Sequence, residues 1–147
     1  MPTLRDLDPP ANAFTHRFVV RNADIDELGH AGNVSWVRWI NEAASAHSSS
    51  VGLDLEAYRR LGLIWVVRRH EIEYLGAAFE ADVLDAVTWV DSQRGATSLR
   101  RTLFRRASDR TLLSRAITTW ALLSLPAGKP TRIPKELLER YGFSSAR

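Results

Sequence analysis

The 147-residue chain contains no cysteine, and that absence removes disulfides, thiolate nucleophiles and cysteine–zinc sites together. No apolar run reaches the roughly 20 residues of a membrane-spanning helix. Met1-Pro2-Thr3-Leu4-Arg5-Asp6 also lacks the basic-then-apolar order of a signal peptide. A soluble cytoplasmic protein with no membrane span is therefore expected. His16, His30, His47 and His70 lack metal-ligand spacing and no His-Glu-x-x-His pattern occurs, so no metal site is expected. The Gly-x-Ser-x-Gly and P-loop patterns are missing, which leaves serine hydrolysis and nucleotide hydrolysis without support. Aromatic residues do not alternate with basic ones as stacking platforms would require, so no nucleic-acid partner is expected.

What is present describes an ordinary folded domain. An apolar share of 45% and a charged share of 25% are globular values. The length suits one domain, residues 1–147, able to bury a proper core. The net charge of +3 and isoelectric point near 9.8 come mostly from arginine. Such a balance suits an anionic small molecule without demanding nucleic acid.

Residues 1–12, with Pro2, Pro9 and Pro10, read as an irregular arm. From Phe14 the chain alternates as a strand, with Phe14, His16, Phe18 and Val20 on one face and Thr15, Arg17, Val19 and Arg21 on the other. A loop over Asn22 to Gly32 leads into a helix over 33–50. There Trp36, Ile40, Ala43 and His47 form an apolar stripe widened by Val37, Trp39, Ala44 and Ala46. Asn33 is its expected N-cap and Gly52 its stop. A short helical turn is expected over Leu55 to Leu61. Strands then follow over Leu63–Tyr74, Val83–Val90 with Val83, Val87 and Trp89 on one face, Ala96–Arg106 and Leu112–Leu125. The last two join through a turn at Ser108-Asp109-Arg110. Pro134 opens a final short helix. This order predicts an α+β domain, an antiparallel sheet wrapped on one long helix. The uncovered face of such a sheet predicts a homodimer or homotetramer.

The chemistry concentrates in Asp26-Glu27-Leu28-Gly29-His30-Ala31-Gly32-Asn33, which runs directly into Val34-Ser35-Trp36-Val37-Arg38-Trp39-Ile40-Asn41-Glu42. A carboxylate, a glycine turn and a histidine precede a helix start, whose unpaired N–H groups can hold an oxygen that is becoming negative. Gly29 lets the chain turn sharply and lets a substrate approach the backbone.

The pattern Asp-x-x-Gly-His-x-x-Asn-x-x-Trp, with Glu42 downstream, resembles the hotdog-fold thioesterases. The likeness is to the 4-hydroxybenzoyl-CoA and short acyl-CoA branch, with an echo of the plant acyl-carrier-protein thioesterases. It covers roughly residues 14–140. The resemblance implies hydrolysis of an acyl-CoA thioester to free acid and coenzyme A, with no cofactor beyond the coenzyme A carried by the substrate. It places Asp26 beside the thioester carbonyl, as nucleophile or as general base, and puts the oxyanion donor at the backbone N–H near Asn33.

His30 either bonds Asp26, the leaving thiol or water, or is simply packed. Glu42 matches a helix acid used by some branches, or is ion-paired with Arg38 at i−4. Leu28 stands where the plant enzymes carry an asparagine of their catalytic network. Trp36 is either core or an edge of the acyl pocket. Arg68, Arg69, Arg101 and Arg105 are candidates for the coenzyme A phosphates, against a solvated outer sheet face. Two rival readings are an acyl-carrier-protein thioesterase and an acyl-CoA-binding module without turnover.

Overall fold

The computed structural model describes residues 3–4 and 8–143, so the arm expected at 1–12 falls partly outside it. In chain order the elements are β1 (Phe14–Val19), α1 (Asn33–Ser50), α2 (Leu55–Leu61), β2 (Leu63–Tyr74), β3 (Val83–Arg94), β4 (Thr97–Arg106), β5 (Leu112–Ser124), β6 (Lys129–Pro130) and α3 (Lys135–Arg140), with a 3-10 turn at Asn22–Asp24. The six strands form one sheet in the order β1-β3-β4-β5-β2, with β6 on β5. The expected α+β architecture is the one observed.

Strand β1 alternates as expected: Phe14, His16 and Phe18 are half-buried, whereas Thr15, Arg17 and Val19 are exposed. It pairs antiparallel with β3, setting Phe18 opposite Leu84 and His16 opposite Ala86. Cross-strand partners share a face, so this register puts Leu84 and Ala86 into the core. Val83, Val87 and Trp89 share the opposite face, as expected, and Trp89 is buried there as well. Strand β3 also runs four residues past its expected end at Val90. Its polar extension, Asp91 to Arg94, closes through a two-residue turn at Gly95-Ala96.

Two compact units divide the chain. One takes the residues through His47 with Ile72–Trp89 and Thr102–Ala116; the other takes Ser48–Glu71, Val90–Arg101 and the chain from Ile117 onward. In the first, Trp36, Trp39, Ile40 and Ala43 repeat at helical spacing on α1 and pack with Leu84, Ala86, Phe104, Leu113 and Ala116. The Phe104 ring meets Trp36 edge-on at 5.2 Å, and Phe18 lies 4.9 Å from Trp39. Burying each indole contributes on the order of 4 kcal/mol, which makes this cluster the anchor of the helix.

In the second unit, Leu53, Tyr58, Leu122, Ile133, Leu137 and Tyr141 form the core. Helix α2 is capped by Asp54, whose carboxylate accepts the Ala57 N–H at 2.8 Å. The Ser48 and Tyr141 hydroxyls lie 2.6 Å apart. Pro134 occupies the cap position of α3 and Lys135 its first helical position, one residue later than expected.

Candidate functional site

The motif loop is closed by its own backbone. Ile25 and Ala31 pair antiparallel, the Asp26 N–H donates to His30 O at 3.0 Å, and the Gly29 N–H donates to Asp26 O at 3.1 Å. Gly29 has φ +86, a left-handed conformation that a side chain resists. A Cβ built there would meet nothing within 4 Å, so glycine is needed for conformation and the space above it stays open.

The Asp26 carboxylate is held from two sides. Its Oδ1 accepts the Leu28 N–H at 2.8 Å, a turn made by the side chain itself. Its Oδ2 faces Gly32, where a Cβ would lie 3.2 Å from Oδ2 and 3.3 Å from the Asp26 Cβ. Gly32 is thus a second glycine of the loop with a close approach to its backbone, here by the Asp26 side chain.

Gly32 also starts the helix. Its carbonyl accepts the Ser35 N–H at 3.0 Å and the Trp36 N–H at 3.4 Å, so Gly32 stands at the N-cap and Asn33 is the first helical residue. The expectation that Asn33 caps the helix is corrected by one position; the first carbonyl to accept within the helix defines the cap. The Asn33 and Val34 N–H groups find no acceptor among the described residues. They open the helix beside the Gly32–Asp26 contact, at its positive end.

Asp24 supports this arrangement from beneath. Its side chain is fully buried. Oδ2 accepts the Arg21 N–H at 2.8 Å, and Oδ1 accepts Arg21 Nη2 at 3.3 Å and Arg38 Nη2. Its carbonyl accepts the Gly32 N–H at 3.2 Å and the Ser35 hydroxyl at 3.0 Å. Burial pushes the Asp24 carboxyl up, but the Arg21 N–H and the two guanidiniums outweigh it and hold the group below the usual carboxylate range.

Sequence reasoning missed Asp24, Gly32 and Ser35. The spacing Asp24-x-Asp26 and the glycine directly before the helix were the available signals. Neither reveals which aspartate is buried.

The remaining candidates are placed as follows. His30 Nδ1 lies 3.2 Å from Ala31 O; a carbonyl only accepts, so Nδ1 carries the proton and Nε2 is the acceptor in the neutral ring. Glu42 is exposed, with Oε1 3.3 Å from Arg38 Nε, at an angle outside hydrogen-bonding geometry. Trp36 is buried in the core, edge-on to Trp39, Tyr74 and Phe104. Arg105 is half-buried and donates to Arg110 O at 3.4 Å. Arg68 and Arg69 are exposed on β2. Arg101 is buried with its Nε 3.2 Å from Asp91, and Arg100 is buried above the Tyr141 ring, so these two are not part of a solvated face. Asp26, Gly29, His30 and Asn33 are brought together in one loop and helix start, whereas Glu42 joins it only through Arg38 and Asp24.

The sequence profile of the thioesterase-like superfamily matches residues 20–141. The chain belongs to that superfamily. Its fold is the hotdog fold seen in solved thioesterases. A 1,4-dihydroxy-2-naphthoyl-CoA thioesterase from Synechocystis superposes with a TM-score of 0.81 at 21% identity, covering 88% of this chain and 96% of that one. A DHNA-CoA thioesterase from Staphylococcus aureus gives 0.77 at 19% identity, covering 88% of this chain and 83% of that one. Among sequence relatives, the chloroplastic oleoyl-acyl carrier protein thioesterase 2 of Arabidopsis thaliana is 22% identical over 135 residues, 88% of this chain. This superfamily member spans only 37% of that plant protein's length. The superfamily match includes the whole stretch from Arg21 to Glu42, where the loop, the open helix start and the Asp24 network lie.

Proposed function

We propose that this chain hydrolyses an acyl-CoA thioester to free acid and coenzyme A. One observation carries the reading: the Asp26 carboxylate is held against Gly32, the residue immediately before two open helix N–H groups. A thioester carbonyl oxygen accepting from the Asn33 N–H would have its carbon facing Asp26. Charge developing on that oxygen would meet donors already oriented for it. Asp26 then either attacks the acyl carbon, forming an anhydride and releasing the thiolate for water to complete the cycle, or takes a proton from a water that attacks directly. His30, with Nε2 as acceptor, assists with that water. Glu42 acts through its ion pair with Arg38.

Coenzyme A is favoured as the thiol because the basic surface offers exposed guanidiniums for its phosphates. Arg68, Arg69 and Arg105 take that role in this reading, while Arg101, itself buried, is left to its pair with the exposed Asp91. The two solved neighbours named above act on coenzyme A esters. Likeness to the plant enzymes supports a second reading, an acyl-carrier-protein ester as substrate. In either case copies of the chain pair into a homodimer or homotetramer.

The test is release of free thiol from a panel of acyl-CoA and acyl-carrier-protein esters of varied acyl group. Turnover of coenzyme A esters is expected. Preference for the carrier-protein esters would select the second reading, and saturable binding without thiol release would replace both with a binding module.

A further inference from the structure

The catalytic reading uses Asp26 and the helix start, yet the more heavily bonded carboxylate is its neighbour two residues earlier. Asp24 is buried between exposed Ala23 and half-buried Ile25, in a loop whose other buried residue, Ala31, is apolar. Burying a carboxylate costs several kcal/mol unless it is paired and hydrogen-bonded, and here the pairing is specific. Two guanidiniums and one backbone N–H converge on its two oxygens. One guanidinium comes from the end of β1's outgoing chain and the other from the second turn of α1. Asp24 therefore ties the strand exit to the helix.

The same residue holds the helix start through its backbone. Its carbonyl receives the Gly32 N–H at 3.2 Å and the Ser35 hydroxyl at 3.0 Å. Ser35 is buried although polar, and this bond accounts for its burial. Gly32 is thus fixed on one side by Asp24, and on the other it meets the Asp26 side chain so closely that a methyl group would require that side chain to give by a few tenths of an ångström. The fork of Arg38 extends the tie to Glu42, one turn further along the helix.

We infer that Asp24, clamped by Arg21 and Arg38, is a positioning residue that fixes Gly32 at the helix start and through it sets where the Asp26 carboxylate stands relative to the open Asn33 and Val34 N–H groups. The inference rests on Asp26 being the catalytic carboxylate. Charge stabilisation and attack both demand placement within a few tenths of an ångström, and a 1 Å error can cost about a hundredfold in rate.

Two substitutions test it from opposite sides. Asp24→Asn keeps size and backbone but loses the charge that holds both guanidiniums. Gly32→Ala leaves Asp24 intact, and its φ lies outside the left-handed region, so alanine is allowed there. Its methyl group pushes Asp26 Oδ2 outward. Each is expected to lower kcat by about 10- to 100-fold while KM for the acyl-CoA changes less than about threefold, since neither residue holds the coenzyme portion.

The deciding readout is the same pair of substitutions placed in the Asp26→Asn background. If Asp24 and Gly32 act through Asp26, neither lowers the residual rate further, although Asp24→Asn still lowers the denaturation midpoint. Undiminished kcat in both single variants, or a full further loss in the Asp26→Asn background, would overturn the inference while leaving Asp26 catalytic. Full activity of Asp26→Asn itself would overturn the reading beneath it. Gly32→Ala keeps the test open should Asp24→Asn fail to fold.

Discussion

Gly32 presents its Cα to the Asp26 carboxylate so closely that a methyl group there would lie 3.2 Å from Oδ2. That contact places a carboxylate beside the first turn of α1, where the Asn33 and Val34 N–H groups have no acceptor among the described residues. Two glycines three residues apart therefore serve different ends. One supplies a backbone conformation, the other a close approach, and mutation separates them.

Gly29→Ala forces a side chain into φ +86 and is expected to cost about 1–2 kcal/mol of stability. The space around its Cβ is open, so no neighbour is displaced. A lowered urea midpoint with kcat reduced less than about tenfold would match this account. A large loss of kcat at unchanged stability would point instead to substrate contact at Gly29.

The oxyanion donor can be removed without disturbing the helix. Asn33 is the first helical residue, a position where proline is tolerated because its N–H has no helical partner. Asn33→Pro is expected to lower kcat by about 10²–10³ with far-ultraviolet circular dichroism unchanged. Asn33→Ala keeps the N–H and should stay within about threefold of the parent. Equal effects of the two would assign the role to the side chain.

Acid should destabilise the fold through two identified carboxylates. The Arg17 guanidinium, donating to Asp85 at 2.7 and 2.9 Å, holds that carboxyl below the usual range against the effect of burial. Asp24 is held low as well. A depressed folded-state value means that the stabilisation is fully present above the unfolded value near 4 and is lost as pH falls through the folded values. Burial holds the His70 imidazole below its usual value, so the urea midpoint should begin to fall as pH drops below about 6.5, and the loss from the two carboxylates should add to it below about pH 4. Asp85→Asn should start lower and fall less steeply. A midpoint that declines as pH rises from 4 to 7 would contradict the sign.

Glu42 is exposed and paired with Arg38, one bond removed from Asp24. Glu42→Gln is expected to lower kcat by no more than about tenfold. A loss as large as that of Asp26→Asn would make Glu42 the water-activating group.

Much of this fold was legible in residue patterns. The stripe of Trp36, Trp39, Ile40 and Ala43 predicted a helix over 33–50, and α1 spans those residues. Alternation at Phe14, His16 and Phe18 predicted that they share one face of β1, and that face is the more buried one. Strand β3 was harder because both its faces are largely buried. Leu84 and Ala86 carry no more apolar signal than Val83 and Val87, and only pairing with β1 decides between them. The site divides similarly. Asp26, Gly29 and the helix start were visible as a local motif. Asp24 was not, because its burial depends on Arg38, fourteen residues away and a helical turn inside α1. Arg101 was open to a phosphate contact or a solvated face for the same reason: only tertiary packing buries it.

The most direct measurement is kcat of Asp26→Asn for the acyl-CoA that the parent hydrolyses fastest, read as release of free thiol and paired with a denaturation midpoint. The substitution removes the charge, and with it the nucleophile or base, while keeping an oxygen that can accept the Leu28 N–H. The account predicts a loss of at least about 10³ in kcat at an unchanged midpoint. Thiol release at the parent rate would contradict it.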